Sequence, residues 1–308
     1  MGNIVGLVKV PDYQDGIGRS ISQVLDLIEF KQPSSVKSVV IKPNLCYYWD
    51  ACTGYTTDPR LVAGIIDYIR ERFGENAEIK VAEADASAMR TKYAFPVLGY
   101  DKLAKEKNVE LLNLSKDTLV DETVKVNNRD LQFKVPQVLV NSDLFVNVPK
   151  LKIMQATKIT CAMKNVFGCI GTPRKVVYHA FLNEAIVGIN KILHPHLTIV
   201  DGLIGLGRHP RKLGLIMAGA DPFSIDWVAS QIMGYKPSRV RFLKLTMKEN
   251  IGNPKGISIV GASVSDFAKV FPKERFITSK RLWGTMFWSL RAYNKIVGDI
   301  VPPILEDV

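Results

Sequence analysis

The stretch Ser38-Val39-Val40-Ile41-Lys42-Pro43-Asn44 decides the fold. Three consecutive β-branched apolar residues leave no polar face, which marks a strand buried on both sides. The run then stops at once on a lysine, a proline and an asparagine. The same grammar recurs. Glu78 to Ala82 ends at Glu83 and Asp85, Leu144 to Val148 at Pro149-Lys150-Leu151-Lys152, and Leu197 to Val200 at Asp201-Gly202.

Amphipathic helical stretches lie between these runs. Ile4 to Val10 predicts a first strand, and Ile21, Val24, Leu25 and Ile28 fall at helical spacing after it. Asp58 caps the next helix, Pro59 suits its first turn and Gly74 closes it. Asp221-Pro222 opens a later helix in the same way. Further helices are predicted near 97–107, 157–167, 179–192 and 239–250, and further strands at 109–114, 213–218 and 256–261. Between 121 and 135, two strand-like runs flank Asn127-Asn128-Arg129-Asp130, which reads as a hairpin. The fold class is therefore α/β: mixed, largely parallel sheets flanked by helices, with a hairpin insertion and a C-terminal amphipathic helix.

Residues 1–271 read as the α/β domain, with room for two sub-lobes meeting near 120–150, and 272–308 as a helical extension. In that extension Leu282, Trp283, Met286, Phe287, Leu290, Tyr293, Val297 and Ile300 form an apolar helical stripe. Packing back on the domain is the plain reading of the stripe. Peripheral membrane contact through 280–300 and an oligomer contact are the alternatives.

A formal charge of +11 draws in anions without naming them. No run reaches the ~18 apolar residues that span a membrane. No secretory signal opens the chain, since Lys9, Asp12 and Asp15 interrupt its first apolar run. The expected compartment is the cytoplasm, with reduced thiols. Cys46, Cys52, Cys161 and Cys169 form no Cys-x-x-Cys pair, so the sequence suggests no metal site.

In open α/β sheets ligands bind beyond the carboxyl ends of the strands. Lys42 and Asn44, Glu83 and Asp85, Lys150 and Lys152, and Asp201 all lie there. The segment 144–183 holds no acidic residue and carries Lys150, Lys152, Lys158, Lys164, Arg174 and Lys175, with His179 near its end. A solvated basic face is the plain reading of that run. Lys150 and Lys152 leave their strand on one side, however, and Lys164-Asn165 borders apolar sequence, where an amine loses affinity for its proton. Lys152, Lys164 and His179 are therefore the catalytic candidates. Lys42, Asn44, Lys150, Asn165, Asp201 and Arg208 are the candidates for holding substrate. Arg208 belongs to a glycine-bearing loop, Gly205 to Gly214, whose backbone N–H groups could cradle an anion. Asp221 reads as a helix cap. Asp226, set between Ile225 and Trp227, is expected to meet a lysine or arginine, because an unpaired buried carboxylate is costly. With Glu83 and Asp85 these two make up the structural or pocket carboxylates.

These strings also form a pattern. Lys42-Pro43-Asn44-Leu45, Thr57-Asp58-Pro59, Val148-Pro149-Lys150-Leu151-Lys152, Met163-Lys164-Asn165-Val166-Phe167-Gly168, His179, Val200-Asp201-Gly202 and Gly219-Ala220-Asp221-Pro222 with Asp226 occur in the order seen in the domain of unknown function 362 family. The resemblance covers roughly 38–262. It implies a fold and a pocket but no settled reaction. Members often carry a histidine two residues after the lysine matched by Lys152, where this chain has Met154. Many also carry a ferredoxin-like segment of clustered cysteines, which this chain lacks. A more distant similarity to the nickel-dependent lactate racemase family is analogy alone.

The leading expectation is an enzyme acting on a small carboxylate or phosphate by lysine and histidine acid–base chemistry. Its cofactor and oligomeric state are unknown. The alternatives are a nucleic-acid or other polyanion binder using the basic segment, with nucleic acid disfavoured as a partner, and an iron–sulfur redox protein.

Overall fold

Two clusters of apolar side chains, one against each face of a single sheet, define the architecture. The computed structural model describes residues 3–12, 16–30, 35–87 and 89–273, with Thr285, Trp288, Ser289 and Ala292. The chain divides into two compact units, Met1–Lys273 and Glu274–Val308. Every residue of the apolar stripe of the extension, from Leu282 to Ile300, lies outside the described residues.

The strands are β1 (Asn3–Lys9), β2 (Ser38–Pro43), β3 (Glu78–Glu83), β4 (Glu110–Asn113), β5 (Leu119–Val126), β6 (Arg129–Pro136), β7 (Leu144–Val148), β8 (Lys150–Met154), β9 (Lys158–Thr160), β10 (Leu197–Leu206), β11 (Pro210–Gly219) and β12 (Ile257–Gly261). The helices are α1 (Gly16–Leu27), α2 (Pro59–Phe73), α3 (Thr91–Val97), α4 (Tyr100–Lys107), α5 (Gln137–Asn141), α6 (Ala162–Phe167), α7 (Leu182–Ile192), α8 (Pro222–Ile232), α9 (Arg241–Lys248) and α10 (Val264–Ala268).

The main sheet runs β12-β1-β11-β10-β7-β2-β3-β4, with β8 branching from β10 and β9 pairing with β8. From β10 to β4 every neighbouring pair is parallel, and β11 is antiparallel to both β1 and β10. One apolar cluster joins the sheet to α1, α2 and α4 through Ile21, Val24, Ile65, Ile66 and Leu103. The other joins it to α6 to α9 and the hairpin through Phe133, Val166, Ile186, Val228 and Phe242. Helices thus cover both faces, as parallel strands require. The hairpin β5–β6 turns at Asn127 (φ 47°) and Asn128 (φ 62°), the paired left-handed conformation of a two-residue turn.

Several sequence expectations change. The helix expected over 157–167 starts only at Ala162, because Lys158 has φ 70° and Lys158–Thr160 pairs with β8. Lys150 and Lys152 are inside a strand of their own instead of in a loop. The glycine-bearing loop expected from Gly205 to Gly214 is a β-hairpin, since β10 runs on to Leu206 and pairs with β11 from Pro210. Gly202 permits that crossing, because a Cβ there would lie 2.9 Å from the Leu215 carbonyl oxygen. The backbone N–H groups expected to cradle an anion belong largely to the ladder. The helix expected at 97–107 starts only at Tyr100, because Gly99 has φ 79°, and α3 before it is a separate helix that the sequence reading does not predict.

Candidate functional site

Parallel strands bring residues distant in sequence to one sheet end, and β2, β3, β8 and β10 do so here. Lys42 at the end of β2 is buried to 1% exposure. Its Nζ stands 2.8 Å from Glu83 Oε1 and donates to Glu83 Oε2 (2.9 Å), the Pro43 carbonyl (2.8 Å) and Asn165 Oδ1 (3.2 Å). Glu83 also accepts the backbone N–H groups of Leu45 and Ala84. The pair is dry and fully bonded. Gly168 makes room for it, since a Cβ there would meet Lys42 Nζ at 3.1 Å.

A second buried pair lies at β8 and β10. Lys150 Nζ stands 2.9 Å from Asp201 Oδ2, with both side chains at 1% exposure or less. Asp201 is at the point where β10 leaves β7 and takes β8 as its neighbour. Its carboxylate accepts the Asp58 and Leu203 N–H groups, which ties the entry of α2 to the sheet.

Lys152 differs from both. It is also 1% exposed, yet it donates to Asn44 Oδ1 (2.6 Å) and the Tyr55 carbonyl (2.8 Å), with Cys46 close enough to act on its charge. Asn44 in turn donates to Asn165 Oδ1 at 3.1 Å, so Lys42, Asn44, Lys152 and Asn165 form one connected network. Lys164, on α6, is half-buried, with its ammonium 5.8 Å from the centre of the Phe167 ring. Among the described residues neither Lys152 nor Lys164 pairs with a carboxylate. Burial lowers the pKa of Lys152, with Lys150 and Lys42 adding to the fall and Cys46 opposing it. Burial, then Lys152, brings Lys164 down to about 8. His179 is exposed, and its imidazole is held below its ordinary pKa by loss of water around the ring and by Lys164. The gathered cations thus form a packed cluster whose accessible groups are Asn44, Cys46, Lys164 and His179. A hollow of about 680 Å³ lies elsewhere, lined by Gly18, Arg19, Asp26 and Glu71.

Other expected residues take other places. Arg208 is exposed in the turn between β10 and β11. Asp221 caps α8, accepting the N–H groups of Phe223 and Ser224. Among the described residues Asp226 meets no lysine or arginine. It accepts Ala162 N–H (2.7 Å) and Met163 N–H (3.0 Å) and so anchors the first turn of α6, with burial raising its pKa to about 7. Backbone N–H groups can offset part of a carboxylate's desolvation cost, a solution that side-chain counting does not anticipate. Asp85 accepts from Thr91 and Asn113, and its carbonyl takes the buried Lys175 ammonium at 2.5 Å. Burial lowers Lys175 to about 8, and the sequence gives no sign that this lysine joins the site. Cys46 also escapes a reading that looks only for close-spaced cysteine pairs. Its position two residues after Asn44, just beyond β2, is the available signal.

The basic segment is not a solvated face. Lys150, Lys152 and Lys175 are buried and Lys158 and Lys164 are half-buried, while Arg174 is exposed. Cys161 and Cys169 are buried while Cys52 is exposed, and among the described residues no group of three His, Cys, Asp or Glu side chains could hold a metal.

A family model described as Domain of unknown function (DUF362) matches residues 39–231. The chain belongs to the DUF362 family. The match runs from β2 into α8 and so includes every residue of the lysine cluster. The thylakoid-associated protein sll1697 of Synechocystis sp. is 24% identical over 216 residues, which are 66% of this chain and 64% of that protein. The chain therefore matches less than two thirds of that relative's length. The lactate racemase apoprotein from Thermoanaerobacterium thermosaccharolyticum aligns over 64% of this chain and 50% of its own, with 15% identity and a TM-score of 0.31. Among the described residues no helix is long and apolar enough to cross a membrane.

Proposed function

We propose that this DUF362 protein is an enzyme that holds a small carboxylate or phosphate against Lys164, in the field of the buried Lys152 ammonium, and moves a proton on it. One observation carries the reading. Lys42, Lys150 and Lys152 gather on the strands and Lys164 comes beside them from α6; Glu83 and Asp201 neutralise the first two, and among the described residues Lys152 and Lys164 have no carboxylate and feel each other's charge. Two desolvated ammonium groups repel each other, and an arriving anion relieves that repulsion while gaining charge-assisted hydrogen bonds. Asn44 and Asn165 orient the cluster, and Lys42, Lys150 and Asp201 hold its frame.

Acid and base roles follow from the environments. The His179 imidazole, with its pKa lowered, is mainly neutral at pH 7 and can accept a proton. Lys164, at about 8, is mainly protonated there and can donate one. The four free cysteines suit the cytoplasm, where thiols stay reduced.

Deuterium wash-in tests the chemistry whatever the product. Incubation in heavy water with a panel of small carboxylates and phosphorylated metabolites is expected to exchange a carbon-bound proton of at least one of them, read by proton NMR. Exchange should fall about 100-fold in His179→Gln, the scale of a positioned proton-transfer group. Exchange by no member of a broad panel, or full exchange by both His179→Gln and Lys164→Met, counts against the reading.

A further inference from the structure

The loop from Cys46 to Tyr55 carries four aromatic side chains, Tyr47, Tyr48, Trp49 and Tyr55. Tyr48 has a structural task, accepting the Arg90 N–H through its hydroxyl at 3.1 Å. Tyr47 and Trp49 have no such burial: they are 48% and 54% exposed. Large aromatic rings left in water beside a polar cluster are uncommon and mark contact surfaces.

Their position ties them to the cations. Trp49 and Tyr55 have ring centroids 6.0 Å apart, tilted by 31°. The Lys152 ammonium is 5.9 Å from the Tyr55 ring centre and donates to the Tyr55 carbonyl. Tyr47 lies close enough to Cys46 and Tyr55 for their charges to raise its phenol pKa, after burial. The buried Lys152 ammonium, Tyr55 and exposed Trp49 are thus successive neighbours from the cluster out to solvent. Tyr47 has φ 56°, a left-handed conformation that a bulky residue adopts only when its surroundings impose it. The loop is pinned at both ends, by Leu45 N–H on Glu83 and by Asn44 N–H on the Thr57 hydroxyl. A rigid aromatic rim therefore stands beside the lysine cluster.

We infer that the anion accepted at Lys164, beside the buried Lys152, carries a flat aromatic or heteroaromatic ring, which stacks on Trp49. This rests on the anion-binding reading above and narrows it to a substrate class. A flat ring meets both neighbours with matching chemistry. Its face covers the exposed indole, and its attached carboxylate or phosphate reaches the Lys164 ammonium.

Calorimetric titration with inorganic phosphate, phenyl phosphate and cyclohexyl phosphate tests it, on the full chain and on Trp49→Ala. Because Trp49 is exposed, the variant should fold, and thermal unfolding checks that. Phenyl phosphate should bind about tenfold more tightly than phosphate, the scale of an aromatic pair together with its buried area. Trp49→Ala should erase that gain and leave phosphate affinity unchanged. If phosphate binds and the phenyl ring adds nothing, or cyclohexyl phosphate gains as much, the ring inference fails while anion binding stands. If neither phosphate nor phenyl phosphate binds, both fail.

Discussion

Glu83→Gln is expected to lower the free energy of unfolding by about 3–5 kcal/mol, the loss seen when one partner of a buried ion pair is removed. Lys42 cannot escape to solvent, because it is 1% exposed and enclosed by Pro43, Asn165 and Gly168. An amide in place of the Glu83 carboxylate keeps the volume and removes the charge, so the ammonium stays in the interior without its counter-ion. The effect should spread to the site, since Glu83 also fixes the Leu45 N–H at the root of the aromatic loop. Denaturant unfolding measures it. Removing the stranded charge as well, with Lys42→Met added to Glu83→Gln, should recover part of the loss, because the amide oxygen still accepts a backbone N–H and no ammonium is left without a counter-ion. A cost below ~1 kcal/mol for Glu83→Gln, the level of an exposed pair, would mean that water reaches Lys42.

Lys164→Met has the opposite profile: it should weaken phosphate binding without weakening the fold. A hydrogen bond to a charged group contributes about 1.5–3 kcal/mol, so the dissociation constant should rise roughly 10- to 100-fold. The stability effect has a definite pH window. In the unfolded chain Lys164 keeps its proton up to its ordinary 10.5, whereas in the native protein it releases it near 8. Below 8 both states are charged and the native state bears the full cost of the buried ammonium. Above 10.5 both are neutral and that cost is gone. Native stability therefore rises with pH between these values, and the Lys164→Met variant lacks this contribution. Comparison with the variant isolates Lys164 from Lys175, which titrates in the same range. Phosphate affinity has its own sign. The anion favours the protonated amine, so wild-type affinity should fall as pH climbs through 8. A variant with wild-type affinity, or a stability difference that stays flat across the window, removes Lys164 from the site.

The strand ends are legible in the sequence because each buried strand stops abruptly on charge. Val39-Val40-Ile41 before Lys42, and Leu144 to Val148 before Lys150, need no tertiary information to be read as a covered sheet with a polar edge. The caps at Asp58 and Asp221 are legible for a similar reason, since proline after aspartate allows few alternatives. Partner choice is not legible. Whether Glu83 neutralises Lys42 or stands apart depends on β2 lying beside β3, and Lys150 finds Asp201 only because β8 branches onto β10. The same topology decides which lysines stay without a carboxylate, and that is where the chemistry is assigned. Short elements are lost for a local reason: Lys158–Thr160 is too brief to show a period, and the positive φ at Lys158 leaves no mark in composition. Gly202 and Gly205 read as loop residues, yet they sit in β10 where Leu215 and Phe271 press close.

The most direct test uses the two accessible thiols as reporters of local charge. Cys46 lies within electrostatic reach of Lys152, whereas Cys52 is exposed and its backbone N–H donates to Asp50. Alkylation rates with anionic iodoacetate and neutral iodoacetamide, resolved by peptide mass spectrometry, give a preference ratio for each cysteine. A carboxylate-free cationic cluster should make the iodoacetate preference at Cys46 about tenfold greater than at Cys52, ~1.4 kcal/mol of attraction, and phosphate should suppress it. Equal ratios at the two thiols, unaffected by phosphate, would contradict the claim that Lys164, beside the buried Lys152, holds an anion.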